Sequence, residues 1–106
     1  MQIQINADHN IKVHEAFAAQ IRGAVESALT RVSNHITRIE IHLSDENGNK
    51  EGHNDKRCLM EARMEGRQPV AVTHNADIFD KAVDGAADKL ARLIENVIGR
   101  QQSMSK

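Results

Sequence analysis

Three successive runs between Ile36 and His74 place apolar residues at every second position, and on either side of them the apolar period lengthens to three and four residues. A two-residue period sets one face of a strand against a core, whereas a 3.6-residue period does the same for one stripe of a helix. The pattern therefore restricts the chain to strands in the middle and helices before and after them. Ile36–Leu43 turns Ile39, Ile41 and Leu43 inward and Arg38, Glu40 and His42 outward. Lys56–Glu65 turns Cys58, Met60, Ala62 and Met64 one way and Arg57, Leu59, Glu61, Arg63 and Glu65 the other. Pro69–His74 offers Val70 and Val72, with Pro69 confined to a strand start or an edge because it lacks an amide donor. At the N-terminus Gln2–Asn6 alternates in the same way through Ile3 and Ile5.

The connections are read from turn chemistry. Ser44–Asp55, rich in Gly, Asn and charge, is expected to be a long hairpin loop, and Glu65-Gly66-Arg67-Gln68 a tight turn. Val13, Phe17, Ile21, Ala24, Val25, Ala28, Leu29 and Val32 predict one helix from Val13 to about Val32. A second helix should start near Asn75 or Asp77, either of which can accept an orphan amide. Its buried stripe is Phe79, Val83, Ala86, Leu90, Ile94 and Val97, and Gly99 is a candidate stop. The order is β-α-β-β-β-α, an α+β fold with a four-stranded mixed sheet and both helices on one face. Strands 1 and 2 are parallel across the first helix, and strands 2, 3 and 4 form an antiparallel meander. Residues 1–100 make a single domain, and the polar tail Gln101–Lys106 is expected to be disordered.

Few function classes survive the composition. No apolar run approaches the roughly 20 residues of a membrane span, and Met1–Asn6 has no signal-peptide pattern, which predicts a cytoplasmic protein. The single cysteine, Cys58, alternates with inward Met60 and reads as a small buried hydrophobe. His9, His14, His35, His42, His53 and His74 show no helical zinc-pair spacing and read as surface or strand-end groups, with His74 alternatively capping the core edge beside helix 2. Neither a metal nor any other cofactor is expected. No phosphate loop, nucleophile elbow or paired-carboxylate motif appears, so no catalytic residues and no enzyme are expected, nor a small-molecule substrate. With 14 basic and 15 acidic residues the formal charge is −1, so nucleic-acid binding would have to rest on local charge. Phe17 and Phe79 are the only aromatic residues apart from the histidines, which counts against base stacking.

Charge along the last helix is ordered. Asp77, Asp80, Asp84 and Asp88 precede Lys89, Arg92 and Arg100, which complements the helix dipole, and Asp77/Lys81 and Asp88/Arg92 are i,i+4 pairs. The alternative reading gives Lys89, Arg92 and Arg100 phosphate contacts. On the sheet's outer face Arg38, Glu40 and His42 beside Arg57, Glu61 and Arg63 predict cross-strand ion pairing.

A resemblance bears on this choice. Ile3–Ile5 leading a strand, Glu15-Ala16-Phe17 opening a helix and Arg38-Ile39-Glu40-Ile41 are followed by Ala76-Asp77-Ile78-Phe79 and by Asp84-Gly85-Ala86-Ala87-Asp88-Lys89-Leu90-Ala91-Arg92. In order and spacing the chain resembles the ribosome hibernation-promoting factor and ribosome-associated inhibitor family, in its short, sigma-factor-modulation-like form. The resemblance implies a non-enzymatic factor that binds the small ribosomal subunit and its rRNA and blocks the mRNA and tRNA sites of idle ribosomes. Lys89 and Arg92 match the family's basic positions on helix 2, Arg100 lies on its continuation, and Arg22 and Arg31 are the nearest basic residues on helix 1. Where members continue helix 2 with lysines this chain has Glu95-Asn96-Val97-Ile98, so its rRNA affinity is weaker or its ligand differs. The short form should not itself join two ribosomes, and the oligomeric state stays open. The rival expectation is a protein-interaction or regulatory module on the same fold.

Overall fold

The computed structural model describes residues 1–46 and 54–104, with residues 100–104 described as helix backbone. Strands β1 (Gln2–Ala7), β2 (Ile36–Asp45), β3 (Lys56–Met64) and β4 (Val70–Ala76) form one sheet in the order β1-β2-β3-β4. β1 runs parallel to β2 with Ile3 opposite Ile39, and β2, β3 and β4 are antiparallel neighbours. Helices α1 (Glu15–Ala28) and α2 (Phe79–Met104) pack alongside one another, α2 lying over β3 and β4. This is the expected α+β arrangement.

The core is aliphatic. Ile39, Ile41, Leu43, Cys58, Met60 and Ala62 from the sheet meet Ile21, Val25 and Leu29 from α1 and Val83, Ala86, Leu90 and Ile94 from α2, all of them buried. The two phenylalanines are only half-buried at the margin. Burial pushes the Cys58 thiol up to about 12, which keeps it protonated and unreactive.

Several boundaries differ from expectation. The first helix does not run unbroken to Val32: α1 closes at Ala28, and Thr30–His35 tightens into a 3-10 segment. The Thr30 hydroxyl donates back to the Glu26 and Ser27 carbonyls (2.8 and 3.1 Å) and so caps the chain where the helix ends. Asn75 and Asp77 do not cap α2. β4 extends to Ala76, and the first helical bond runs from the Ala82 amide to the Ile78 carbonyl (3.1 Å). The Asn75 side chain is drawn away to Glu46 Oε1 (3.0 Å) and the Asn54 carbonyl (3.2 Å), while Asp77 pairs with Lys81 (3.6 Å). Gly99 does not stop the helix, which continues to Met104. A lone glycine lowers helix propensity by about 1 kcal/mol, too little to end a helix held by Ile94 and Ile98.

Turns follow their residue chemistry. Gly66 adopts φ +73, the left-handed conformation that a side chain disfavours, and the Arg67 amide returns to the Met64 carbonyl (3.3 Å). β2 and β3 pair as far as Asp45↔Lys56, as a hairpin requires, although residues 47–53 of the expected loop lie outside the described residues, as does His53. At the hairpin base Lys56 Nζ lies 2.8 Å from Asp45 Oδ2 and 3.1 Å from Asp55 Oδ2. Asp55 is buried, and the hydrogen bond to Asp45 leads the contributions that raise the Lys56 pKa.

Gly85 has a packing role. A Cβ there would overlap the His74 ring, so α2 can sit on β4 only with a hydrogen at this position. His74 thus caps the core edge beside α2. Gly85→Ala gains helix propensity but forces the ring aside, for an expected net cost of ~1–2 kcal/mol in urea unfolding. With His74→Ala in place the same change should stabilise by ~0.5–1 kcal/mol. Additive effects in this double-mutant cycle would refute the contact.

Candidate nucleic-acid interface

The helix layer divides the charges of α2 around its axis as well as along it. The two helices advance in the same direction: Gln20 Nε2 donates to Asp80 Oδ2 (3.2 Å) near their starts, and Ala24, Ser27 and Ala28 flank Asp84, Ala87 and Asp88 further on. Asp80, Asp84 and Asp88, spaced by four residues, therefore line the seam between the helices. Lys89 leaves α2 about 100° round the axis from Asp88, toward β4, and donates from Nζ to the Thr73 carbonyl of that strand (3.0 Å). Arg92 is the next residue on the Asp80–Asp84–Asp88 row and lies between that row and Lys89, neighbouring Asp88 at four residues and Lys89 at three. Its guanidinium is 3.1 Å from Asp88 Oδ2, and both side chains are well exposed, at 76% and 66%. Such a pair leaves Arg92 free to exchange Asp88 for another anion at a cost of about 0.3–0.5 kcal/mol.

The remaining candidates are dispersed. Arg22 is exposed on the far side of α1, over the edge of β1, in a groove with Gln2, Ile3, Gln4, Ile5 and Arg38. The sheet order puts that groove and Lys89 at opposite edges. Arg31 is exposed in the 3-10 segment, which follows α1 to the end of the layer where α2 carries Arg92. The α2 backbone continues through position 100, but the Arg100 side chain lies outside the described residues. The structure thus brings Lys89 and Arg92 onto one face, places Arg31 toward the same end, and separates Arg22 from them. Lys89, Arg22 and Arg31 have no carboxylate at ion-pair distance among the described residues.

Cross-strand pairing on the open sheet face takes a different form from the expected one. Arg38 stands opposite Arg63 and Glu40 opposite Glu61, like facing like. The ion pairs form on the diagonals and along the strands: Arg63 to Glu40 (3.1 Å), Arg63 to Glu61 (3.4 Å) and Arg38 to Glu40 (3.6 Å). A register shift between Ile36 and Arg38 inserts Thr37, whose hydroxyl donates to the Arg63 carbonyl (3.0 Å), and this offset sets which charges meet. His42 pairs with Asp8 (3.0 Å) and Arg57 with Glu46 (3.8 Å), so this face is largely self-neutralised. The contact of Arg38 with Gln4 of β1 was hidden in the sequence, where its alternation with Glu40 pointed only to a solvated strand face. Among the described residues no three His, Cys, Asp or Glu side chains gather as a metal site, and no helix is long and apolar enough to cross a membrane.

A model of the family described as sigma 54 modulation protein / S30EA ribosomal protein matches residues 3–102. Among solved structures, a ribosomal subunit interface protein from Coxiella burnetii is similar at 19% identity and a TM-score of 0.72, covering 93% of this chain and 99% of that one. The Protein Y N-terminal domain of Thermus thermophilus is similar at 21% identity and 0.66, covering 92% and 99%. Both likenesses concern the fold. No curated protein sequence matches the chain significantly.

Proposed function

We propose, since the chain belongs to the sigma 54 modulation protein / S30EA ribosomal protein family, that it binds the small ribosomal subunit and occludes its mRNA and tRNA sites. The family is one of ribosome-associated factors and not of enzymes. A ribosomal partner also makes the cytoplasm its place of work. The observation that carries the reading is the shared outward face of Lys89 and Arg92, with Arg100 continuing it by helical spacing and Arg31 toward the same end. Phosphate oxygens would replace Asp88 at Arg92 and Thr73 at Lys89, giving affinity that is indifferent to base sequence and sensitive to salt. Occlusion needs no further chemistry than occupancy. The acid-lined seam between the helices turns rRNA away from the middle of the layer and leaves contact to its far end, where Arg92 and Arg31 lie, and to Lys89 beside β4.

That seam also favours the rival reading, a module for a protein partner. Sedimentation with isolated ribosomal subunits separates the two. Co-migration with the small subunit at low salt, falling with a log–log salt slope of about two to four for a few phosphate contacts, is the expected result. Absence from both subunits at low salt would defeat the ribosomal reading.

A further inference from the structure

We propose that the outward edge of β1, between Arg22 and Arg38, is a docking groove for an extended acidic polypeptide segment, which adds to the sheet as a fifth strand. The Asp8 amide donates to the Leu43 carbonyl (3.1 Å) in the parallel register of β1 and β2. Strand alternation then directs the backbone of Asn6, Gln4 and Gln2 toward β2, and leaves the N–H and C=O groups of Ile3, Ile5 and Ala7 pointing away from the sheet. Those of Ile3 and Ile5 open onto a groove of about 520 Å³ lined by Gln2, Ile3, Gln4, Ile5, Arg22 and Arg38, and those of Ala7 continue the same edge beyond it. The two sheet edges are treated differently. Pro69 precedes β4 and the Lys89 ammonium covers its Thr73 carbonyl, devices that blunt an edge against pairing. At β1 Arg22 and Arg38 flank the edge, but among the described residues no side chain hydrogen-bonds to the outward backbone groups of Ile3, Ile5 or Ala7.

Charge selects the occupant. Arg22 has no acidic partner among the described residues. Arg38 contacts Gln4 through Nη2 and is paired with Glu40 only loosely, at 3.6 Å, with its side chain 38% exposed, so an acid in the groove would share its guanidinium with Glu40. A second copy pairing edge to edge would bring these arginines against their symmetry mates, a like-charge arrangement that disfavours it. Nucleic acid fits poorly as well, because phosphate oxygens only accept and would face the outward carbonyls of Ile3 and Ile5. A polypeptide strand supplies both donors and acceptors. Arg22 lies on the helix side of the sheet and Arg38 on the open side, so the segment needs acidic residues at odd spacing, one on each of its faces.

The test is an NMR titration of the full chain with the capped peptide Thr-Val-Glu-Glu-Val-Thr. The Ile3, Ile5 and Ala7 amides are expected to shift, with binding about tenfold weaker after Arg22→Glu and weaker again for a peptide with Glu-Thr-Glu spacing, which puts both acids on one face. Ala7→Pro removes an outward donor and no β1–β2 ladder bond, and should also weaken binding. Arg22→Glu should leave ribosomal sedimentation unchanged, which keeps this groove distinct from the rRNA-binding face. Unshifted edge amides, equal binding of the same peptide with Lys-Lys in place of Glu-Glu, stronger binding of single-stranded RNA at the same amides, or a β1-mediated dimer of the free protein would each overturn the proposal.

Discussion

Reversing Lys89 and Arg92 together, as Lys89→Glu with Arg92→Glu, is expected to weaken small-subunit binding by about a hundredfold and to lower the salt slope by about two. On the proposed docking, each reversal would remove one phosphate contact and put a carboxylate against the rRNA backbone, beside Asp88 and Glu95 on the same helix. The fold should tolerate the change. Both side chains are exposed, and what is lost inside the protein is one exposed i,i+4 pair and one hydrogen bond to Thr73. Like-charge crowding with Asp88 adds a few tenths of a kcal/mol at most. Thermal unfolding should therefore move by only a few degrees while sedimentation changes from bound to free. Unaltered co-migration of the double variant would place the ribosomal contact elsewhere. Arg22→Glu is the matched control, a charge reversal of the same size at the opposite edge of the sheet.

Leu90→Ala should have the largest effect on stability, with an expected cost of ~2–5 kcal/mol. Leu90 is fully buried on the face of α2 that looks onto the sheet, in a core whose fully buried members are all aliphatic or sulfur-bearing. No buried ring stands ready to tilt into the vacated space, which argues for the upper part of that range. At about 4–8 °C per kcal/mol for a domain near this size, Tm should fall by at least about 10 °C. Leu90→Met preserves volume and should cost less than ~1.5 kcal/mol. Val97 belongs to the same apolar stripe by spacing but is only half-buried, because Ile98 takes the inward position there. Val97→Ala should cost well under half as much as Leu90→Ala, and comparable losses at both positions would show that the helix is packed differently along its length.

Leu90 and Val97 mark how far the sequence alone reached. The two periods determined which stretches are strands and which are helices, and the alternation through Ile39, Ile41, Cys58 and Met60 determined the sheet face that is covered. These are local properties, since a residue's face follows from its neighbours in the chain. The boundaries were less legible because they depend on competition. Thr30 ends α1 with its own hydroxyl, Asn75 serves Glu46 instead of capping α2, and Gly99 is overridden by the apolar contacts around it.

The candidate site was legible as a set of residues and not as an arrangement. Spacing alone put Lys89 and Arg92 on one side of a helix. It could not say that Asp80, Asp84 and Asp88 would be turned into the seam with α1, or that Arg22 would stand over the opposite sheet edge. Nor could it pair Glu40 with Arg63 diagonally, since one inserted residue at Thr37 sets that offset. Local periodicity thus determined the elements and their inward faces. Where the charges meet was decided only by the tertiary structure, because it depends on which edges, registers and helix sides are brought together across the fold.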